Sequence, residues 1–146
     1  MDRAIYDYYS NIEAKSVDWL WFPYIPFGKL TVIQGDPGEG KSTFVLNLLS
    51  LLTKGLPMPD GFVPGHSYTA IYQCAEDGIA DTIKPRLERA GADCSKVAYI
   101  ADSDVVLTLE DGRIESAIKE TCSRVFVIDP IQAFIPPDSD MQSATK

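Results

Sequence analysis

Residues Gly35-Asp36-Pro37-Gly38-Glu39-Gly40-Lys41-Ser42 carry the spacing GxxxxGK[ST]. Each fixed position has a chemical reason. Glycines lack a Cβ, so successive backbone N–H groups can turn toward one point. Those donors, with the start of a following helix, favour the oxygens of a phosphate. Lys41 is long enough to reach β- and γ-phosphates, and Ser42 offers a hydroxyl to Mg²⁺. Thr43 is placed to reach the α-phosphate. The stretch Gly35, Asp36, Pro37, Gly38, Glu39, Gly40, Lys41, Ser42 and Thr43 is therefore the candidate nucleotide-binding loop. Its flanks add specificity, with an apolar run before it and a helical run after it.

Two further positions complete the chemistry. Asp129 closes the apolar run "VFVID", and a carboxylate at the end of a buried parallel strand lies on the same rim as the phosphate loop. P-loop enzymes hold Mg²⁺ with such an aspartate; the plain alternative is a turn aspartate before Pro130. Glu76 and Asp77 close another apolar run, "YTAIYQCA". Hydrolysis of a triphosphate needs a group that orients water in line with the γ-phosphate, and Glu76 can supply it. Asp77 can instead cap the next helix, and both can be solvated cap carboxylates.

These residues need elements to position them. Residues 29–34 read as a buried strand, and Lys41 to about Lys54 as a helix with Phe44, Val45, Leu48, Leu49, Leu51 and Leu52 on its apolar stripe and Gly55 as its stop. Further strands are expected at 68–75, 96–101 and 124–129, with helices at 77–91 and 108–122. Pro85 should kink the 77–91 helix. In the 108–122 helix, Ile114, Ala117, Ile118 and Thr121 share a face. Strands alternating with helices predict an α/β fold with a parallel sheet of about four strands and helices on both faces. The organisation expected is an aromatic-rich segment at 1–28, a nucleotide-binding core at 29–135 and a flexible tail at 136–146.

The chain has 146 residues, a length that suits one domain, and 45% apolar residues can build a core. A net charge of −8 argues against a surface built mainly to hold nucleic acid. Cys74, Cys94 and Cys122 are widely spaced, with no CxxC pair, and read as small core or near-core residues in a reducing compartment. There is no apolar run of 18 residues and no secretory-type start, so a cytoplasmic protein without a membrane span is expected.

Taken together, "GDPGEGKST", "GLPMPDG", "YQCAEDG", "RLERAGAD" and "VIDPIQAF" resemble the RecA-like AAA ATPases related to the hexameric plasmid helicase RepA, and more distantly the DnaB-type helicase motor. The resemblance covers about residues 18–135. It implies a P-loop NTPase fold, ATP and Mg²⁺ as ligands, Glu76 as catalytic base and Asp129 as a Mg²⁺ holder beside Ser42. Lys41 and Arg86 join Glu76 as candidate catalytic residues. Arg86 matches an arginine in the family's corresponding helix, with a role near the γ-phosphate or in an ion pair. A homo-oligomer, hexameric in the full-length protein, and DNA contact through later segments are implied as well. Domains of this family continue past the aspartate with further strands, one of them inserted beside the phosphate-loop strand; arginine finger and DNA loops also come later. The chain ends about 17 residues after Asp129, so a shortened domain lacking a central strand is expected.

Weaker features carry competing readings. Trp19, Trp21, Phe22, Tyr24 and Phe27 either cover an adenine, form a subunit contact, or pack as a lid over a sheet edge. His66 reads as a loop residue. Asp138 and Asp140 lie in the tail, read as a disordered end or as a mobile contact loop. Two other functional classes compete with the motor: a nucleotide-binding interaction module without catalysis, and a small-molecule P-loop kinase.

Overall fold

The computed structural model describes residues 2–137. The tail expected at 136–146, with Asp138 and Asp140, falls outside the described residues from 138 onward. The chain divides into two compact units, residues 1–32 and residues 33–146.

The first unit contains a short antiparallel pair, β1 (Trp19–Trp21) with β2 (Ile25–Pro26). Backbone bonds from Tyr24 N–H to Trp21 and from Phe27 N–H to Asp18 close it. Leu20 and Trp21 are buried, while Phe22 and Tyr24 stay exposed. The aromatic cluster builds a hairpin of its own, with Trp19 edge-on to Phe22 and Trp21 tilted against Tyr24.

The second unit is α/β. Helix α1 spans Lys41–Lys54, followed by strand β3 (Ala70–Cys74), helix α2 (Lys84–Ala90), strand β4 (Val97–Ala98), helix α3 (Gly112–Thr121) and strand β5 (Val125–Asp129). The sheet order is β4-β3-β5, all parallel. From β3 the chain crosses through α2 to β4 on one side, then back through α3 to β5 on the other. Right-handed crossovers in opposite directions put α2 and α3 on opposite faces. The core lies on the α1–α2 face, where Leu46, Leu49, Ala70, Tyr72, Ile83 and Leu87 cluster. Each fully buried leucine contributes about 1.5–3 kcal/mol relative to exposure.

Local chemistry explains the boundaries. Gly40 and Gly55 flank α1 with φ of 84° and 63°, the left-handed region that favours glycine. The residues that α1 buries are Leu46, Leu48, Leu49, Ser50, Leu52 and Thr53; Phe44 is 44% exposed and Val45 and Leu51 are half-buried, so the stripe expected from the sequence is rotated. The helix expected at 77–91 is not one regular α-helix. It begins as a π turn at Ile79–Ile83, and Pro85 sits in the first turn of α2, a position where proline is common. In α3, Ile114, Ala117, Ile118 and Thr121 are all half-buried on the expected face.

Strand content differs from expectation at 29–34. No strand forms there, and Leu30, Val32 and Ile33 are 80%, 70% and 41% exposed. Apolar, β-branched composition favours an extended backbone, but a strand exists only through a ladder partner. The sheet of the described residues therefore has three strands rather than four. Beyond β4, pairing continues through a side chain: Gln73 donates from Nε2 to the Ile100 carbonyl at 3.3 Å and accepts from Ile100 N–H at 2.9 Å. One amide stands in for a peptide group and satisfies itself inside the sheet.

The cysteines divide. Cys74 and Cys94 are half-buried against the core, as expected, but Cys122 is exposed and caps α3 with φ of 54°. A side chain is strained there. Cys122→Gly is expected to raise the unfolding free energy by about 0.5–1 kcal/mol, seen as a higher urea midpoint; a midpoint unchanged or lowered would contradict the strain.

Candidate functional site

The phosphate loop runs from Gly35 into the first turn of α1. Gly38 has φ of 82°, a left-handed backbone conformation that favours glycine. The loop is held by its own charged side chains. Lys41 Nζ donates to the carbonyls of Gly35 at 2.5 Å and Asp36 at 2.8 Å. Glu39 Oε2 accepts from Asp36 N–H at 2.8 Å. Lys41 and Ser42 are half-buried, and Thr43 is exposed in the first helical turn.

Asp129 reaches this loop from the far end of the sequence. Its Oδ2 accepts from Ser42 Oγ at 2.6 Å, an 87-residue separation in the chain. The parallel register places Cys74 opposite Asp129, and Ala75 N–H donates to the Asp129 carbonyl at 3.2 Å, so β3 and β5 end on one rim. Glu76 and Asp77 follow on that rim, with Glu76 exposed. Asp77 does not cap the next helical segment; Gly78 takes that position, and Asp77 receives Arg86 Nη1 at 3.2 Å. Arg86 thus sits in an ion pair, one of its two expected settings. Both partners are more than a third exposed, and such pairs contribute about 0–1 kcal/mol.

A second hydroxyl converges on the same atom. Tyr72 Oη donates to Asp129 Oδ2 at 2.7 Å. Burial first, then the Asp129 carboxylate, hold the Tyr72 phenol protonated far above its usual range. Sequence reasoning missed both Tyr72 and Gln73. The signal was present: two polar-tipped side chains inside a strand buried on both faces must find partners there.

The donor set suits a hard cation. Ser42 and Asp129 offer oxygens alone, at the start of a phosphate loop. Among the described residues no group of three or more His, Cys, Asp or Glu could hold a metal ion. A cation at Ser42 and Asp129 would therefore complete its shell with phosphate and water oxygens, the habit of Mg²⁺ rather than of a caged metal.

Beside this rim a groove of about 600 Å³ is lined by Asp77, Ile83, Leu87, Val97, Arg113 and Phe134 among others. Arg113 fastens its wall, donating to Asp111, to Ser103 Oγ at 2.7 Å and to the Val105 carbonyl at 2.9 Å. His66, the expected loop residue, is exposed and packs edge-on to Tyr68. Among the described residues no helix is long and apolar enough to cross a membrane.

Comparison with known proteins places this geometry. The family model described as "AAA domain" matches residues 7–146. The chain belongs to this family. It is also similar to DNA repair protein RadA of Bacillus subtilis (strain 168), 31% identical over 80% of this chain and 21% of that protein. RadA of Chlamydia muridarum (strain MoPn / Nigg) is 27% identical over 75% of this chain and 20% of its own length. The chain thus spans about a fifth of these curated relatives. No solved structure matches. Membership and likeness agree on an ATP-binding, RecA-like P-loop domain.

The Asp111–Arg113 clamp makes a pH prediction. The Arg113 side chain, then its backbone N–H, lowers the Asp111 pKa from 3.8 to about 2. The folded value lies below the unfolded one, so the stabilisation is complete above the unfolded pKa and is lost as pH falls through the folded one. The stability gap between the native chain and Asp111→Asn should be constant above about pH 5 and close as pH approaches about 2, in urea titrations at each pH. A gap that widens on acidification would contradict it.

Proposed function

We propose that this AAA domain binds ATP with Mg²⁺ and hydrolyses it as a RecA-like motor, in a DNA replication, helicase-type or phage and mobile-element protein. The observation that carries the reading is the 2.6 Å bond between Ser42 and Asp129, which joins the phosphate loop to the end of β5. In this reading residues 35–43 cradle the triphosphate, with Lys41 leaving the Gly35 and Asp36 carbonyls for the β- and γ-phosphates. Ser42 and Asp129 hold Mg²⁺, whose charge when bound offsets that of the phosphates. Glu76, exposed on the rim after β3, orients the attacking water and takes its proton. Arg86 stays with Asp77 or swings toward the γ-phosphate.

The likeness to RadA, named as DNA repair proteins, supports a nucleic-acid-linked role for the whole protein. DNA contact and assembly into a ring, a hexamer in the full-length protein, are part of the proposal. A neighbour in such a ring would supply an arginine finger, worth about 10³–10⁵ in rate. The chain alone should therefore turn over slowly.

Two substitutions test the reading. Lys41→Ala should abolish binding of a fluorescent ATP analogue. Glu76→Gln should keep that binding while single-turnover hydrolysis drops about 10²–10⁴-fold. Hydrolysis untouched by Glu76→Gln would remove the glutamate from the mechanism. Tight binding without any hydrolysis in the native chain would favour a nucleotide-binding module, and phosphate transferred to a metabolite instead of water would favour a kinase.

A further inference from the structure

Tyr72 and Ser42 reach one oxygen from two different elements. Ser42 comes from the first turn of α1, at 2.6 Å, and Tyr72 from the middle of β3, at 2.7 Å. Tyr72 is 3% exposed and lies directly opposite Val127, two residues before Asp129 on β5. Side chains alternate along a strand, so Tyr72 shares its face with Ala70 and Cys74, and Asp129 shares the corresponding face of β5 with Val127. The phenol therefore runs along the sheet to meet the carboxylate at the rim.

Their fates differ when a cation arrives. Ser42 belongs to the phosphate loop, and its hydroxyl oxygen is the group offered to Mg²⁺. Tyr72 belongs to the sheet, where it is 3% exposed and packed in the core cluster. A carboxylate held by a single donor can rotate about it; one held from two elements has its bonded oxygen fixed in place. Outer partners of this kind orient the groups that touch a metal and tune its affinity.

We propose that Tyr72 is a positioning residue for the metal-holding carboxylate, keeping Asp129 Oδ2 beside the phosphate loop once Mg²⁺ engages Ser42. This rests on the ATP-binding reading above. It adds a role for a residue that acts through Asp129.

The test is the affinity for a fluorescent ATP analogue, measured with Mg²⁺ and with EDTA, in the native chain, Tyr72→Phe, Asp129→Asn and the double variant. The ratio of the two affinities should fall about tenfold in Tyr72→Phe, the low end of the range for outer-shell partners. Titrating Mg²⁺ at fixed nucleotide should show the matching rise in half-saturating Mg²⁺. In the Asp129→Asn background, Tyr72→Phe should change the ratio no further, because the tyrosine acts through that carboxylate. A Tyr72→Phe chain that melts earlier with an unchanged ratio would make the residue merely structural and overturn the proposal, as would full additivity in the double variant. If Tyr72→Phe does not fold, Tyr72→Met also lacks the hydroxyl and provides the same comparison. A native chain whose nucleotide affinity ignores Mg²⁺, or that binds no nucleotide, would overturn the parent reading instead, so the two failures are distinct.

Discussion

Asp129 Oδ2 accepts hydrogen bonds from Ser42 at the start of α1 and from Tyr72 inside β3. A half-buried carboxylate without partners is costly, whereas hydrogen bonds to a charged group contribute about 1.5–3 kcal/mol each. Three elements distant in sequence are thereby tied to one atom. The tie also fixes register. A slip of β3 by one residue would turn Tyr72 to the opposite face and leave Gln73 facing the carboxylate. The position of the phosphate loop relative to the sheet follows from that register, not from the loop alone.

Parallel pairing makes the tie possible. β3 and β5 run side by side from Ala70–Val125 to Cys74–Asp129, so both end at the same level. Whatever follows them, Glu76 after one and Pro130 after the other, emerges on one rim. α1, the π turn and α2 pack Leu46, Leu49, Ile83 and Leu87 over the face that carries Tyr72. The hydrophobic layer holds α1 down, and the hydroxyl pair then sets where its first turn points. Gln73 does the complementary work at the other neighbour, pairing with Ile100 where β4 has ended. Two polar residues in one five-residue strand thus lock the sheet on both sides.

What the sequence made legible was local. Gly40 and Gly55 bracket α1, and both bounds of that helix follow from them. The loop residues 35–43 and the strand-end Asp129 could be named as candidates because their residue types and spacing point to one chemistry, and the structure brings Ser42 and Asp129 together. Tyr72 was not, because its partner is 57 residues away and is chosen by cross-strand register. Pro85 misled for a related reason: a proline breaks a helix or begins one, and only the wide turn before it decides which. Phe44 misled because helical periodicity names a stripe without saying where the sheet touches it.

Residues 29–34 show the same limit from the other side. "KLTVI" has the composition of a buried strand, yet its apolar side chains lie exposed and no ladder forms there among the described residues. Intrinsic preference extends a backbone, but burial and pairing convert it into a strand, and both are supplied from outside the segment. Exposed apolar side chains are unfavourable in water and an open strand edge leaves a template for pairing, so 29–34 and the outer edge of β5, unpaired among the described residues, would each gain from another strand. The phosphate loop therefore has an unequal pair of supports. On its C-terminal side stand a packed helix and the Asp129 carboxylate; on its N-terminal side stands an exposed segment outside any strand. Ser42 and Asp129 meet through the first support although the strand expected before the loop does not form.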